Sequence, residues 1–231
     1  MNTRPAKLSI ASQIVRVATT LALAFSWASM AFCGPIHDAT RKGDEAKVIA
    51  LLEQNPDLVS SRDKLGNTPL HVAALHDQPA IAALLLANGA DVNAENTVHS
   101  ETPLTLALLS YEHKEMLELL LTHGADPNVL GSTPLRRAIE RNLPYDVELL
   151  LANGADPDAN AGGFSAVVWA ILHGQTKILE LLLDSGANPN AKDWAGHTPM
   201  FYAENGFHSY NGETSSNEKA IAILRAHGGH K

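Results

Sequence analysis

The chain has 231 residues, 45% hydrophobic and 18% charged but only 5% aromatic, with a formal net charge of −8 at pH 7. That length and composition support a sizeable core, and the Ala- and Leu-rich mix favours helix packed on helix over a β-sandwich. The acidic balance, with no basic patch interleaved with aromatics, argues against nucleic acid as a partner. The single cysteine, Cys33, can form neither an internal disulfide nor a structural zinc site by itself.

The N-terminus reads differently from the rest. Residues 1–16 carry Arg4, Lys7 and Arg16 and no acid, and the run VATTLALAFSWASMAF at 17–32 has no charge. Ser29 and Ala31 stand at −3 and −1 of a cut after Ala31. A basic segment, a short apolar stretch and a small-residue exit predict a signal peptide over 1–33, cut near 31–33. The alternative is an uncleaved anchor, although the 16-residue run falls short of the roughly 20 apolar residues a spanning helix needs. Lipidation of Cys33 is disfavoured by Phe32 before it, and no Arg-Arg pair indicates twin-Arg export. Without the leader the chain keeps 14 basic against 25 acidic residues, a net charge of −11.

From there a period runs to the end. GNTPLHVAAL at 66–75 returns as ETPLTLAL (101–108), STPLRRAI (132–139), FSAVVWAI (164–171) and HTPMFYAE (197–204). A second motif keeps the same beat: NGADVN (88–93), HGADPN (123–128), NGADPD (153–158) and SGANPN (185–190). A fixed period near 33 residues predicts a repeat architecture. Thr68, Thr102, Thr133, Ser165 and Thr198 are placed to cap a first helix, with Pro69, Pro103, Pro134 and Pro199 at its first position. A second, apolar helix follows, and Gly89, Gly124, Gly154 and Gly186 sit where it ends, in the left-handed slot.

These motifs closely resemble the ankyrin repeat. The resemblance covers everything after the leader and implies an all-α solenoid of stacked helix-turn-helix units with finger-like β-turn loops. Six units are expected, at about 34–65, 66–99, 100–130, 131–161, 162–194 and 195–231, the first and last acting as caps. VLGS at 129–132 leaves the finger between the third and fourth units stubby. Ala166 replaces the helix-starting Pro of the fifth unit, and AGGF before it adds flexible backbone, so that joint is expected to be the softest. FHSYNGETSSN at 207–217 lengthens the last interhelix loop.

No HExxH, GxSxG, P-loop or GxGxxG motif occurs, so no enzyme, cofactor or metal centre is expected. His227 and His230 are the one metal-hydrolase alternative, and two His make a poor site. The reading is a non-enzymatic, monomeric protein-binding scaffold outside the cytoplasm, periplasmic or secreted. It is either an inhibitor or immunity-type partner of an envelope or secreted enzyme, or a stress-support accessory. The resemblance implies that a partner protein meets finger residues and exposed ends of first helices. These are Lys64, Leu65, Asn67, Leu75 and His76 in the first joint, and Val98, His99, Glu101, Leu109 and Tyr111 in the next. Further along they are Glu140, Phe164, Leu172, His173, Trp194 and His197. Arg136, Arg137 and Arg141 form a basic spot that either pairs within its helix or grips a partner carboxylate.

Overall fold

The computed structural model of the chain describes residues 34–110, 113–161, 164–205 and 217–230. The expected leader, Tyr111 and nearly all of the polar insertion lie outside them. The helices are α1 (Pro35–Lys42), α2 (Glu45–Gln54), α3 (Pro69–Leu75), α4 (Pro79–Ala87), α5 (Pro103–Ala107) and α6 (Lys114–Thr122). They continue as α7 (Val129–Glu140), α8 (Pro144–Ala152), α9 (Ala166–Leu172), α10 (Thr176–Asp184), α11 (Pro199–Asn205) and α12 (Glu218–Ala226). A short 3-10 turn, Pro56–Ser60, follows α2, and a two-residue antiparallel ladder, β1 (Asn160–Ala161) with β2 (Phe164–Ser165), precedes α9. The helices come in consecutive pairs, and first helices pack on first helices while second helices pack on second.

The sequence explains this stacking position by position. One site in every first helix is alanine: Ala39, Ala73, Ala107, Ala138, Ala170 and Ala203, all buried. The small side chain lets neighbouring first helices approach closely, while Leu52, Leu85, Leu120, Leu150, Leu182 and Leu224 fill the second-helix layer. Within five of the six pairs the same backbone bond closes the turn, as in Gln78 N–H to Ala73 O and Gln175 N–H to Ala170 O, both 2.9 Å. Asn217 N–H makes it to Ala203 O at 3.1 Å despite the insertion. Second helices end in the expected left-handed glycines, with bonds such as Ala90 N–H to Leu85 O at 3.0 Å.

First-helix caps follow the motif where the motif is complete. Thr68 and His71 form a capping box, as do Thr102 and Thr105, and Ser165 accepts from Val168 N–H. In the first pair Gly34 stands in the threonine position and brings no hydroxyl, so buried His37 Nδ1 has no partner. The fourth pair departs from expectation. Thr133 and Pro134 do not open the helix; α7 begins at Val129 and Pro134 lies inside it. Four residues after Asn128 are too few to leave the stack and return as a turn, so the chain enters the helix directly. No finger stands there.

A ladder of side chains ties the outer turns together. Asn93 donates to Gly124 O (3.1 Å) and accepts from Asp126 N–H (2.8 Å). Asn128 does the same to Gly154 O (2.9 Å) and Asp156 N–H (2.8 Å), and Asn190 to Gly228 O (3.1 Å) and His230 N–H (2.8 Å). Position 158 is aspartate. It accepts from Asn188 N–H at 2.7 Å but, ionised, has no proton for Gly186 O. Asp158→Asn is therefore expected to stabilise the protein by about 1 kcal/mol, the net worth of one hydrogen bond. A urea midpoint that is unchanged or lowered would contradict this.

Candidate protein-binding face

The fingers are rigid because a carboxylate or amide organises each turn. Asp63 Oδ1 accepts from Leu65 N–H (2.8 Å) and Asn67 N–H (2.9 Å). Asp193 Oδ1 does the same for Ala195 N–H (2.8 Å) and His197 N–H (2.9 Å), and its other oxygen accepts from the Tyr202 hydroxyl. Burial pushes both carboxyls up, but these hydrogen bonds outweigh it and hold them below the usual aspartate range. Asn96 replaces the aspartate in the middle finger. Its oxygen accepts from the His99 and Glu101 amides and its nitrogen donates to Asn67 Oδ1 at 3.0 Å.

The first-helix row changes character along the array. In its N-terminal half, histidines bolt each unit to the next finger. His37 Nε2 bonds Asn67 O and His71 Nε2 bonds Glu101 O, each at 2.9 Å. His71 Nδ1 accepts from Thr68 N–H, so the ring is the neutral Nε2–H tautomer. Burial keeps its pKa below the ordinary value. In the same helix position Thr105, Arg136, Val168 and Phe201 follow.

The C-terminal half presents rings. Phe164 meets Trp169 and Tyr202 edge-on, at centroid distances of 6.2 and 5.6 Å. His173 stacks on Trp169 at 5.3 Å and His197 on Phe201 at 4.0 Å. Trp194, on the last finger, is 84% exposed and Phe201 39%. Phe164, Trp169, His173, Tyr202, Phe201 and His197 form a connected strip on the last two first helices and their fingers, with Trp194 three residues from His197 on the last finger. Trp169, Phe201 and Tyr202 were missed from sequence because no motif marks them; only alignment of the first helices shows aromatics clustering in the last two.

The other expected contact residues divide. Lys64, Leu65, Leu75, His76, Val98, His99 and Leu109 are exposed. Asn67 and Glu101 are buried, absorbed by the finger turns and by Arg137. The arginines correct the idea of a presented basic spot. Arg136 pairs with Glu140 at 2.5 Å, within its helix. Arg137 reaches back to Glu101 through both nitrogens, at 3.0 and 2.6 Å, and to Thr105 O at 2.6 Å. Arg141 donates to Leu108 O and Ser110 O at the end of α5. Two of the three guanidiniums are thus spent on the preceding helix pair, Arg137 at the second finger and Arg141 at the C-terminal end of α5.

His227 is also spent on structure, between Ile223 O (2.9 Å) and Asp184 Oδ1 (3.0 Å). Among the described residues no group of three or more His, Cys, Asp or Glu side chains is placed to hold a metal ion. Among the same residues no helix is long and apolar enough to cross a membrane.

Stacked helix pairs, turn-ordered fingers and a preformed side face define a helical repeat scaffold for protein–protein interaction. The chain belongs to the ankyrin-repeat family: the family model for ankyrin repeats (three copies) matches it over 26–96, 94–161, 128–193 and 147–211. Canis lupus familiaris inversin is 32% identical over 190 residues, 79% of this chain, and this chain spans 17% of inversin's length. An ankyrin repeat domain from Acinetobacter baumannii AYE superposes with a TM-score of 0.74 at 31% identity, covering 85% of this chain and 98% of that one. A chain from the complex of the Bd0816 predatory endopeptidase of Bdellovibrio bacteriovorus with immunity protein Bd3460 gives 0.67 at 25% identity. That match covers 84% of this chain and 97% of that one.

Proposed function

We propose that this protein acts outside the cytoplasm and holds a partner protein against its finger and first-helix face, with the aromatic strip as anchor. The exposed rings of Trp194 and Phe201, with half-buried Trp169 in the preceding first helix, carry the reading. Large, rigid aromatics dominate interface energetics, and a strip already held by ring contacts and finger turns loses little freedom on binding. The basic segment and uncharged run of residues 1–33 motivate export and removal of the leader.

The partner we infer is an envelope or secreted enzyme, with this chain as its inhibitor or immunity-type companion. The net charge of −11 over residues 34–231 suits a basic active-site rim, and the likeness to a chain of an endopeptidase–immunity complex points the same way.

The test uses the full chain as bait on the source organism's envelope fraction, beside a Trp169→Ala/Trp194→Ala/Phe201→Ala variant and an Ile49→Ala control on α2. A specific enzyme lost by the triple variant and kept by the control is the expected result. Each ring contributes about 2 kcal/mol if it is a hot spot. A partner retained by the triple variant would move the site elsewhere. N-terminal sequencing of the protein from that fraction should begin between residues 32 and 34; an intact Met1 there would overturn the cleavage.

A further inference from the structure

One buried position recurs in every second helix. It carries Val48, Ile81, Met116, Ile178 and Ala220, and in α8 it carries Asp146. The residue just before each second helix also recurs: Asp44, Gln78, Leu143, Gln175, Asn217 and, before α6, His113. The two exceptions meet across one joint. His113 Nε2 lies 2.5 Å from Asp146 Oδ2, with the side chains 5% and 6% exposed. His113 Nδ1 lies 2.8 Å from Ser110 O.

A carbonyl and a carboxylate can only accept, so both ring nitrogens carry protons and the ring is an imidazolium. A carboxylate in an aliphatic position bears a desolvation penalty that its neighbours in the series avoid, and only a cation beside it offsets that penalty. We propose that the joint between α6 and α8 is a proton-operated hinge. With His113 doubly protonated it is closed. Loss of one proton leaves Asp146 buried and unpaired, and the third and fourth helix pairs part there. This reading is independent of which partner the face binds.

The surroundings leave the pair in control. From α8, Asp146 meets the ring, and Tyr145 and Glu148 are the titratable residues next to it on that helix. From the end of α7, Arg141 shares Ser110 O with the imidazolium and works against its charge. On α6 itself Lys114 lies 4.2 Å over the Tyr145 ring, and Glu118 accepts from the Tyr145 hydroxyl. That hydroxyl is pushed up to about 12, first by the bond to Glu118, and stays protonated. Glu115 is the remaining charge on α6. Helices α4 and α5, also packed on α6, carry no titratable group. Tyr111 and Glu112 lie outside the described residues.

The hydrogen bond that His113 donates to Asp146 raises the His113 pKa by more than burial lowers it. The stabilisation is therefore complete below the ordinary imidazole value and lost as pH rises through the folded one. His71, whose pKa is lowered by burial, has the opposite sign: its contribution is lost as pH falls below the ordinary value. His227, raised by its bonds to Ile223 O and Asp184, shares the sign of His113 but ties α10 to α12, so a readout local to α6 and α8 separates the two.

The experiment is hydrogen–deuterium exchange of the full chain from pH 6 to pH 10, corrected for intrinsic exchange. Opening of the 114–122 and 144–152 peptides should rise about tenfold per pH unit past the midpoint, the slope of one linked proton. The 45–54 peptide should not follow. His113→Gln, the residue at 78 and 175, and Asp146→Ile, the residue at 81 and 178, should each flatten the profile. A uniform profile, or a step that survives either folded variant, would overturn the hinge. The His113 Cε1–H resonance of the unmodified chain provides a check that needs no variant. A midpoint at or below the ordinary imidazole value would equally sink the proposal.

Discussion

Gly66→Ala is expected to destabilise the protein by about 3–4 kcal/mol, combining a left-handed backbone penalty of roughly 1–2 kcal/mol with broken hydrogen bonds worth about 1 kcal/mol each. Gly66 has φ +77°, and an added Cβ would lie 2.5 Å from Thr97 Cγ2 and 2.6 Å from both Thr97 N and Oγ1. The threonine cannot yield cheaply. Its amide donates to Leu65 O at 3.0 Å and its hydroxyl to the same oxygen at 2.8 Å, which locks the first finger to the second. Accommodating one methyl group means parting the fingers. Gly89 provides the control. It has φ +85° but nothing within 4 Å of an added Cβ, so Gly89→Ala should cost only the backbone term, about 1–2 kcal/mol. The difference between the two urea midpoints measures finger stacking. Because repeats couple mainly to neighbours, Gly66→Ala should also lower the m-value by fraying the first helix pair. Equal midpoints for the two variants would mean that the fingers separate without cost.

The stacked helices could be read from residues alone because the period is carried by residues with one local job each. Threonine caps, proline starts and left-handed glycines act within a few residues of themselves, and the buried alanines set how closely neighbours approach. What a motif could not show is which side chain in one unit meets which in the next. Arg137 and Arg141 look like a presented basic spot in PLRRAIER, yet each bonds a unit 31–36 residues away. Glu101 looks like a finger tip and is buried for the same reason. Asp146 was legible in principle: aligning the second helices puts it in a column of Val, Ile, Met and Ala. The early start of α7 was partly legible too, since VLGS is too short for a turn, but Thr133-Pro134 advertised a cap that the geometry bypasses. The strip of rings lacked any motif, being a property of two neighbouring units rather than of one.

Arg137→Ala is expected to cost about 2–3 kcal/mol, near the lower end for breaking a buried pair because the Arg137 and Glu101 side chains remain 18% and 12% exposed. The bridge is bidentate, the geometry in which arginine and carboxylate bind most strongly. The arginine also satisfies Thr105 O, so its removal leaves a carboxylate and a carbonyl short of a partner. Glu101 is a node in its own right. Its carbonyl accepts from His71 Nε2 and Asn96 N–H, at 2.9 Å each. Disorder at its side chain should therefore spread to the second finger. The pH dependence has a definite sign. Burial pushes the Glu101 carboxyl up, but hydrogen bonds from Arg137 and Thr105 outweigh it and hold the group below the usual glutamate range. The stabilisation is thus full above the ordinary value and lost as pH falls through the folded one. Arg137→Ala should abolish that acid-side loss as well as lower the urea midpoint at neutral pH. Replacing both partners, as Glu101→Leu with Arg137→Met, should recover most of the stability, since the apolar pair leaves no charge stranded. A loss under about 0.5 kcal/mol for Arg137→Ala, the level of an exposed ion pair, would show that the joint does not depend on this bridge. The joint would then rest on its alanine-lined helix packing and on the pair formed by His113 and Asp146.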